Sequence, residues 1–221
     1  MKLPPASYSF ITDFRNCPRK AWHKFVARDL PRESRPAMDY GIAVHKAFEE
    51  RLRAHKPFPD DMKEFEAYAL AAEQGEGKMY AEEQLSIAGD GTPTDFFGEK
   101  VWLRGKIDFA RINENVAVML DWKTGKPNED PFELEIGALM LKCTYRGLET
   151  IRGAYVWLKE KRIGRMFDLS NFARTFNEVK TTMKAVEALP VDAEWPPNKN
   201  PLCNWCPVYT CPHNGNPDKP K

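Results

Sequence analysis

Residues 100–123 read KVWLRGKIDFARINENVAVMLDWK, two apolar runs separated by the polar triplet Asn113-Glu114-Asn115. Runs rich in Val, Ile, Leu and Phe on either side of a short polar turn are typical of a β-hairpin. Each predicted strand carries an aspartate among its apolar residues, Asp108 in the first and Asp121 in the second. A lone carboxylate is costly to bury, so the presence of an aspartate in each strand needs a physical explanation.

Lys123 follows Asp121 at a spacing of two, which places both side chains on one face of a strand. Pairing of the two strands brings Asp108 near Asp121, and two adjacent carboxylates repel unless a divalent cation lies between them. A lysine beside that cation can orient a water molecule or stabilise charge on phosphorus. The alternative is a surface hairpin with solvated acids, because Asp-x-Lys alone is a common pattern.

The segments around this hairpin predict further helices and strands. Apolar spacing predicts helices over 9–28 (interrupted at Cys17-Pro18), 41–54, 60–74, 132–145 and 170–189, and strands at QLSI (84–87) and RGAYVWLK (152–159). The elements follow one another in a fixed order: three helices, three strands, a helix, a strand and a helix. This order describes a mixed central β-sheet flanked by helices. The sequence therefore predicts one α/β domain over residues 1–221, with 214–221 as a polar tail.

Composition sets the class of protein. The chain has 221 residues, 42% of them apolar and 29% charged, which suits one soluble domain with a single core. No stretch approaches the roughly 20 apolar residues of a membrane helix, and the first residues lack the pattern of a signal peptide. We expect a cytoplasmic protein without a membrane partner. The net charge of +1 does not itself indicate a polyanion partner.

His45 lies in the second predicted helix, four residues before Glu49 on the same helical face. Imidazole is a good ligand for metals such as manganese, and a neighbouring carboxylate can fix its tautomer. A half-buried histidine with a helical ion-pair partner explains this segment equally well.

Three of the five cysteines, Cys203, Cys206 and Cys211, fall within nine residues. An odd number of cysteines argues against a disulfide framework, and the clustering points to a metal or an iron–sulfur group. A zinc ion held by these three residues and His213 is one alternative. Cys143 lies in an apolar helix and is expected to be a core residue.

Basic and aromatic residues flank Cys17, namely Arg19, Lys20, Trp22 and Lys24. This combination suits single-stranded DNA, through phosphate pairing and base stacking. A solvated basic helix face with Trp22 in the core is the alternative.

The order GxxxH (Gly41–His45), GxID (Gly105–Asp108) and DWKTGK (Asp121–Lys126) resembles the RecB-like nucleases of the PD-(D/E)XK superfamily. The resemblance is greatest to the iron–sulfur branch, which includes AddB-type and CRISPR-associated exonucleases, and it runs from about Ser9 to Pro212. It implies a restriction-endonuclease-like core. It also implies that His45, Asp108, Asp121 and the backbone carbonyl of Trp122 bind Mg²⁺ or Mn²⁺, with Lys123 as the catalytic lysine.

The resemblance further implies a [4Fe–4S] cluster on Cys17, Cys203, Cys206 and Cys211. The cluster would join residues 1–30 and 190–213 into an iron–sulfur portion. The implied activity is a deoxyribonuclease that acts as an exonuclease in DNA repair, recombination or phage DNA metabolism. DNA with a free or single-stranded end is the implied substrate, and a helicase or recombination protein the implied partner.

One motif departs from the family pattern. The usual Gln-x-x-x-Tyr after the lysine strand corresponds here to Glu133 and Gly137. Glu133 can act as a hydrogen-bond acceptor at the catalytic site but adds negative charge, and Gly137 lacks an aromatic ring. This departure keeps open a catalytically weak DNA-end-binding subunit with the same fold, and a zinc-stabilised interaction module is a further alternative.

Overall fold

The computed structural model describes residues 3–30 and 36–217. The chain divides into two compact units. One comprises Ser34–Thr175 and contains the predicted hairpin; the other combines Met1–Glu33 with Phe176–Lys221. The prediction of one nuclease domain with an iron–sulfur portion at 1–30 and 190–213 stays a prediction. Of the predicted tail, residues 218–221 lie outside the described part of the chain.

The six strands form one mixed sheet. They are β1 (Lys78–Ile87), β2 (Leu103–Asn113), β3 (Val116–Lys123), β4 (Thr150–Trp157), β5 (Arg162–Ile163) and β6 (Phe167–Asp168). The sheet order is β1-β2-β3-β4-β5, with β6 also pairing with β4. Among the six strands of the described residues, only β3 and β4 pair in parallel, and the other pairs are antiparallel. This confirms the predicted fold class.

Six α-helices accompany the sheet in the described residues: α1 (Tyr8–Asn16), α2 (Pro18–Ala21), α3 (Pro36–Ala54), α4 (Glu66–Glu73), α5 (Phe132–Thr144) and α6 (Phe172–Glu187). A π-helical turn, Trp22–Ala27, continues α2, and a 3-10 helix, Asp60–Phe65, precedes α4. The predicted break at Cys17-Pro18 is confirmed. The predicted third helix is partly wrong, because its first half is 3-10 helix.

The hairpin forms as its turn chemistry predicts. β2 and β3 are antiparallel, with Asn113 opposite Val116 and Phe109 opposite Leu120. Glu114 in the turn has φ of 52°, the left-handed conformation that tight hairpin turns require. The turn fixes the register, and the register sets which residues of the two strands lie opposite each other.

The helices α3 and α5 pack on opposite faces of the sheet. Trp122 of β3 is fully buried and stacks on Phe48 of α3 at 4.2 Å between ring centroids. Met119 lies on the other face, because it stands three positions before Trp122 in the strand, and side chains alternate between faces. It contacts Gly137 of α5, where an added Cβ would lie 2.8 Å from Met119 Cε. The core therefore has two layers, with β3 between them.

The unit formed by the two ends of the chain has its own aromatic core. Ser7 caps α1 by accepting a hydrogen bond from the Phe10 N–H, a favourable arrangement at a helix start. Trp195 is fully buried against Phe10 and Phe14, with ring centroids 6.4 and 5.6 Å away. Contacts between residues more than 180 positions apart in the sequence thus hold this unit together.

Among the described residues, no helix is both long enough and apolar enough to cross a membrane.

Candidate active site

A local reversal of β2 places Asp108 at the boundary of the two layers. Ile107 faces α5, since its Cγ2 lies 3.1 Å from a Cβ built at Gly137, whereas Phe109 packs with Trp122 on the α3 side. Residues two apart normally share a face, so the strand turns over at Asp108. Glu82, between the pairs Ala81–Phe109 and Glu83–Ile107, lies opposite and has φ of 52°.

The reversal brings Glu82 and Asp108 together with His45 of α3. His45 Nδ1 lies 3.2 Å from Glu82 Oε1 and 3.1 Å from Asp108 Oδ1. One ligand atom from each of the three residues lies within 4.8 Å of the others, and within residues 3–30 and 36–217 no other such group occurs. An imidazole and two carboxylates form a donor set that suits Mn²⁺ or Mg²⁺.

The predicted partner of His45 is wrong. Glu49 instead contacts Lys46 and Arg53 on the outside of α3. The carboxylates that contact His45 come from the sheet, not from its own helix. Both contact Nδ1, so that nitrogen is the one that carries a proton towards the two carboxylates.

The three residues are electrostatically linked. Burial lowers the pKa of His45, but hydrogen bonds with Asp108 and Glu82 outweigh burial and raise that pKa to about 10. Burial raises the pKa of Glu82, yet hydrogen bonds from His45 and Lys106 leave it below its ordinary value. Lys106 Nζ contacts Glu82 Oε2 directly. The positive charges of His45 and Lys106 therefore balance the charge of the Glu82 carboxylate.

Asp121 and Lys123 lie at the end of β3, on the α5 side. Lys123 Nζ lies 2.8 Å from Asp121 Oδ1 and 2.7 Å from Glu133 Oε2. Burial opposes protonation of Lys123, but the charges of Asp121 and Glu133 raise its pKa above the ordinary value. Glu133 thus accepts a hydrogen bond that holds the lysine amine in place, while its correspondence to the glutamine of the family motif stays a prediction.

Asp121 has the environment of a metal ligand. Burial and then the charge of Asp108 raise the pKa of Asp121 to about 7, against the opposing charge of Lys123. Its Oδ1 is buried, and its one polar contact among the described residues is the Lys123 ammonium group, 2.8 Å away. A buried carboxylate oxygen in this condition fits a metal ligand.

Trp122 lies between these residues and links the two strands. Its backbone N–H donates a hydrogen bond of 2.8 Å to Asp108 Oδ2. That bond fixes one carboxylate oxygen, while Oδ1 of the same group turns towards His45. Metal binding by the Trp122 carbonyl stays a prediction.

Gly137 has a packing reason that the sequence did not reveal. It is buried where α5 crosses Ile107 and Met119, at the close approach described above. An added Cβ would meet the ends of the Met119 and Ile107 side chains, which would have to shift, and a larger side chain would overpack the interface. Packing of α5 against the sheet therefore explains the glycine at this position.

The comparisons with known proteins agree with this geometry. The family model described as PD-(D/E)XK nuclease superfamily matches residues 5–211.

This chain belongs to the PD-(D/E)XK nuclease superfamily.

Two solved structures resemble the nuclease. The "Putative exonuclease" from Eubacterium rectale is 17% identical, with a TM-score of 0.53, and the match covers 91% of this chain and 86% of that one. The structure of SSO0001 is 14% identical, with a TM-score of 0.45, covering 97% and 88%. No curated protein matches the sequence. Membership of the superfamily implies a phosphodiester hydrolase that uses divalent metal ions and acts on DNA.

The predicted iron–sulfur ligands of the nuclease line one cavity. Cys17, Cys203, Cys206 and Cys211 surround a space of about 150 Å³ that His213 also borders. Their sulfurs do not form a compact group, since no three cysteine or histidine ligand atoms of the described residues lie within 4.8 Å of one another. A single zinc ion with bonds of about 2.3 Å would hold its sulfurs about 3.8 Å apart.

The cavity has features that suit thiolates. The N–H groups of Asn198 and Asn200 point at Cys17 Sγ and Cys203 Sγ, at 3.4 and 3.5 Å. In the opposite direction, burial and the neighbouring Cys17 raise the pKa of the Cys206 thiol, so bound metal has to stabilise its thiolate. Hydrogen bonds to sulfur are one means by which proteins tune bound iron–sulfur groups.

The four predicted DNA-binding residues have intramolecular partners. Arg19 pairs with Glu194 at 3.2 Å. Lys20 and Lys24 both pair with Asp13, at 2.7 and 2.6 Å. The Trp22 indole N–H donates to the Val191 carbonyl. These contacts give each residue a structural role, and DNA binding by them stays a prediction.

Glu82 and Lys106 are site residues that sequence reasoning missed. The predicted strand before the hairpin begins at Gln84, whereas β1 begins at Lys78 and includes Glu82. The available signal was the run YAEEQLSI (80–87), in which an acid interrupts apolar residues as Asp108 does.

Proposed function

We propose that this nuclease is a DNA exonuclease that works with Mg²⁺ or Mn²⁺ held by His45, Glu82, Asp108 and Asp121. The observation that carries the proposal is the convergence of His45, Glu82 and Asp108 on one point, with the buried carboxylate of Asp121 near enough for the charge of Asp108 to raise its pKa. Preference for DNA ends follows from the sequence resemblance, and the exonuclease-like neighbour supports it.

The cation supplies positive charge that binds a phosphate oxygen and lowers the pKa of a water molecule. Lys123 is the chain's own contribution to the reaction. Its ammonium group lies beside Asp121 and is held by Glu133, so it stands ready to orient the attacking water or to stabilise charge on the phosphate. The 2.7 Å contact from Glu133 restrains the flexible lysine side chain in one position.

Asp108 has a double role in this proposal. The Trp122 N–H holds one carboxylate oxygen, which leaves the other directed at His45 and the cation position. A ligand fixed in this way loses little conformational freedom on binding a metal ion. Rigid strands, rather than loops, thus supply the acidic ligands.

We further propose a [4Fe–4S] cluster on Cys17, Cys203, Cys206 and Cys211. The shared cavity and the backbone N–H groups that face two sulfurs support it. The spread of the sulfurs favours a multi-iron cluster over a single zinc ion, because a cluster spaces its thiolates more widely. A role in DNA repair, recombination or phage DNA metabolism, with a helicase or recombination partner, completes the proposal.

The deciding experiment is cleavage of end-labelled linear DNA and of circular DNA, with protein purified without oxygen and supplied with Mn²⁺ or Mg²⁺. We expect linear DNA to be degraded and circles to survive. Asp121→Asn should reduce the rate by roughly 10²-fold or more, a loss typical of removing one group that stabilises transition-state charge. The matched control is Asp60→Asn, because Asp60 is exposed on a 3-10 helix.

Intact linear DNA with folded, metal-loaded protein would overturn the enzyme proposal, and cut circles would overturn the exonuclease part. Metal analysis tests the cluster separately. We expect iron and sulfide in the wild type and in Cys143→Ser, and their loss in Cys17→Ser. Zinc in place of iron would refute the cluster.

A further inference from the structure

A basic strip extends from the candidate active site along β2. Lys106 contacts Glu82 and borders the same open groove as His45. Gly105 faces Met140 of α5, so Lys106 and Arg104, on the alternate positions, share the face that looks towards His45. Gln84, which lies opposite Lys106 on β1, is exposed on this face. At about 3.4 Å per residue, Arg104 lies roughly 14 Å along the strand from Asp108.

Two aromatic rings meet Arg104 at the far end of the strip. The Arg104 guanidinium lies 5.3 Å from the Phe96 ring centroid and 5.7 Å from that of Phe97, and it donates to the Phe96 carbonyl. Phe97 is 81% exposed, the highest value among the large apolar residues described. Within residues 3–30 and 36–217, no carboxylate pairs with Arg104. Its charge is thus available to a ligand.

The loop that carries Phe97 is held in place by the sheet. Ser86 and the Thr94 backbone exchange two hydrogen bonds, of 3.0 Å from the Thr94 N–H and 2.8 Å from the Ser86 hydroxyl. The Trp102 N–H donates 2.9 Å to the Ile87 carbonyl, and a tight turn links the Gly98 N–H to the Asp95 carbonyl at 2.8 Å. The aromatic ring therefore projects into solvent from an anchored turn.

We propose that Lys106, Arg104 and Phe97 bind the single-stranded segment of DNA next to the scissile phosphate. Lys106 and Arg104 pair with successive backbone phosphates, and Phe97 stacks on one unpaired base. This inference rests on the proposed nuclease function and names its substrate as a strand with unpaired bases. The span of about 14 Å corresponds to roughly two to four nucleotides from the cut, depending on how far the strand is extended.

The combination of side chains favours a single strand over a duplex. Lysine and arginine on a flat strand face pair with phosphates of either form. An exposed phenylalanine adds affinity only where a base presents its π-face, which stacked base pairs conceal. The loop 88–102 itself carries three acidic residues and one lysine, so stacking and not charge is its contribution.

Binding is measured in EDTA, so that nothing is cut, with fluorescein-labelled oligothymidine of about 15 nucleotides, a length within known single-strand site sizes. We expect Phe97→Ala to weaken binding roughly tenfold or more with an unchanged salt dependence. Arg104→Ala should weaken binding and reduce the salt slope by about 0.7. The matched controls, Ile163→Ala on β5 and Arg152→Ala on β4, should bind as the wild type does.

An abasic site walked along the oligonucleotide locates the stacked base. At one position, roughly two to four nucleotides from the cut end, the wild type and Phe97→Ala should bind equally, because the base that Phe97 contacts is missing. Wild-type affinity in both Phe97→Ala and Arg104→Ala overturns the inference. If the wild type nevertheless degrades DNA with Mn²⁺, the proposed nuclease function stands. Strong binding that depends on Phe97 but is not followed by cleavage refutes the nuclease activity and leaves the binding surface intact.

Discussion

Replacing Glu82 by glutamine tests whether the sheet, and not the helix of His45, supplies the second carboxylate of the metal site. The change preserves the size of the side chain and removes its charge. Glu82 is buried, and its carboxylate contacts both His45 and Lys106. The matched control is Glu49→Gln, because Glu49 is the carboxylate four residues after His45 and contacts only Lys46 and Arg53 among the described residues.

The expected effect follows from linkage between metal binding and unfolding. At a Mn²⁺ concentration 100 times the dissociation constant, bound metal stabilises the fold by about 2.7 kcal/mol. For a chain of this size that corresponds to a rise in melting temperature of roughly 5–11 °C. Loss of a charged ligand should weaken affinity by at least about 100-fold, since loss of a supporting group alone costs 10- to 100-fold. The same Mn²⁺ then adds about 0.4 kcal/mol, or roughly 1–2 °C.

The assay is thermal unfolding of wild type, Glu82→Gln and Glu49→Gln, each with EDTA and with a Mn²⁺ series. We expect the control to keep the full Mn²⁺-dependent rise. A Glu82→Gln protein that melts with the wild-type rise in Mn²⁺ would refute the assignment of Glu82 as a ligand. If Glu49→Gln loses the rise instead, the helical partner suggested by the sequence is the correct one.

Three further predictions concern packing, protons and acid. Gly137→Leu should lower the free energy of unfolding by about 1–3 kcal/mol in urea titrations through overpacking, because even a Cβ at this position meets Met119 and Ile107. Gly147→Leu, with open space around its Cβ position, should cost less, and equal losses would refute the close approach. The affinity for Mn²⁺ should rise from pH 6 to 8, because the protons on His45 (pKa about 10) and Asp121 (pKa about 7) must leave before the metal binds. Calorimetry in two buffers should find one to two protons released per bound ion. Proton uptake, or no proton release, would contradict the link between metal binding and deprotonation. Burial opposes ionisation of Asp13, but Lys20 and Lys24 lower its pKa, so its contribution is present above the unfolded pKa of 3.8 and is lost as pH falls below that value; Asp13→Asn should cost roughly 1 kcal/mol at pH 7 and progressively less as pH falls from 3.8 through the lower folded-state pKa, and a cost independent of pH would rule out the ion pairs.

Local chemistry made much of the fold predictable. The strand Val116–Lys123 has the predicted bounds, because the Asn113-Glu114-Asn115 turn and the acid at its end mark both limits. The helix Phe132–Thr144 ends one residue before its predicted end. The short strands β5 and β6 went unpredicted, since two-residue pairings leave no periodic pattern in the sequence.

Some residues of the candidate site could be predicted from local sequence, and others could not. Asp108, Asp121 and Lys123 stand in a hairpin whose pairing is local, so the sequence sufficed to bring them together. Glu82 joins them only through pairing between strands and through a reversal at Asp108 that flips the alternation of side chains. No spacing rule anticipates such a reversal, because strand patterns assume that residues two apart share a face.

The split unit has a consequence for synthesis of the chain. Phe10 and Phe14 must wait for Trp195 to be translated, and about 180 residues separate them from it. At roughly 5–20 residues per second, these rings remain without that partner for about 10–40 s while the sheet is being made. The nascent chain therefore presents the apolar side of an amphipathic N-terminal helix to the cell for far longer than a helix takes to form. We expect low growth temperature and ample chaperone supply to raise the yield of active protein.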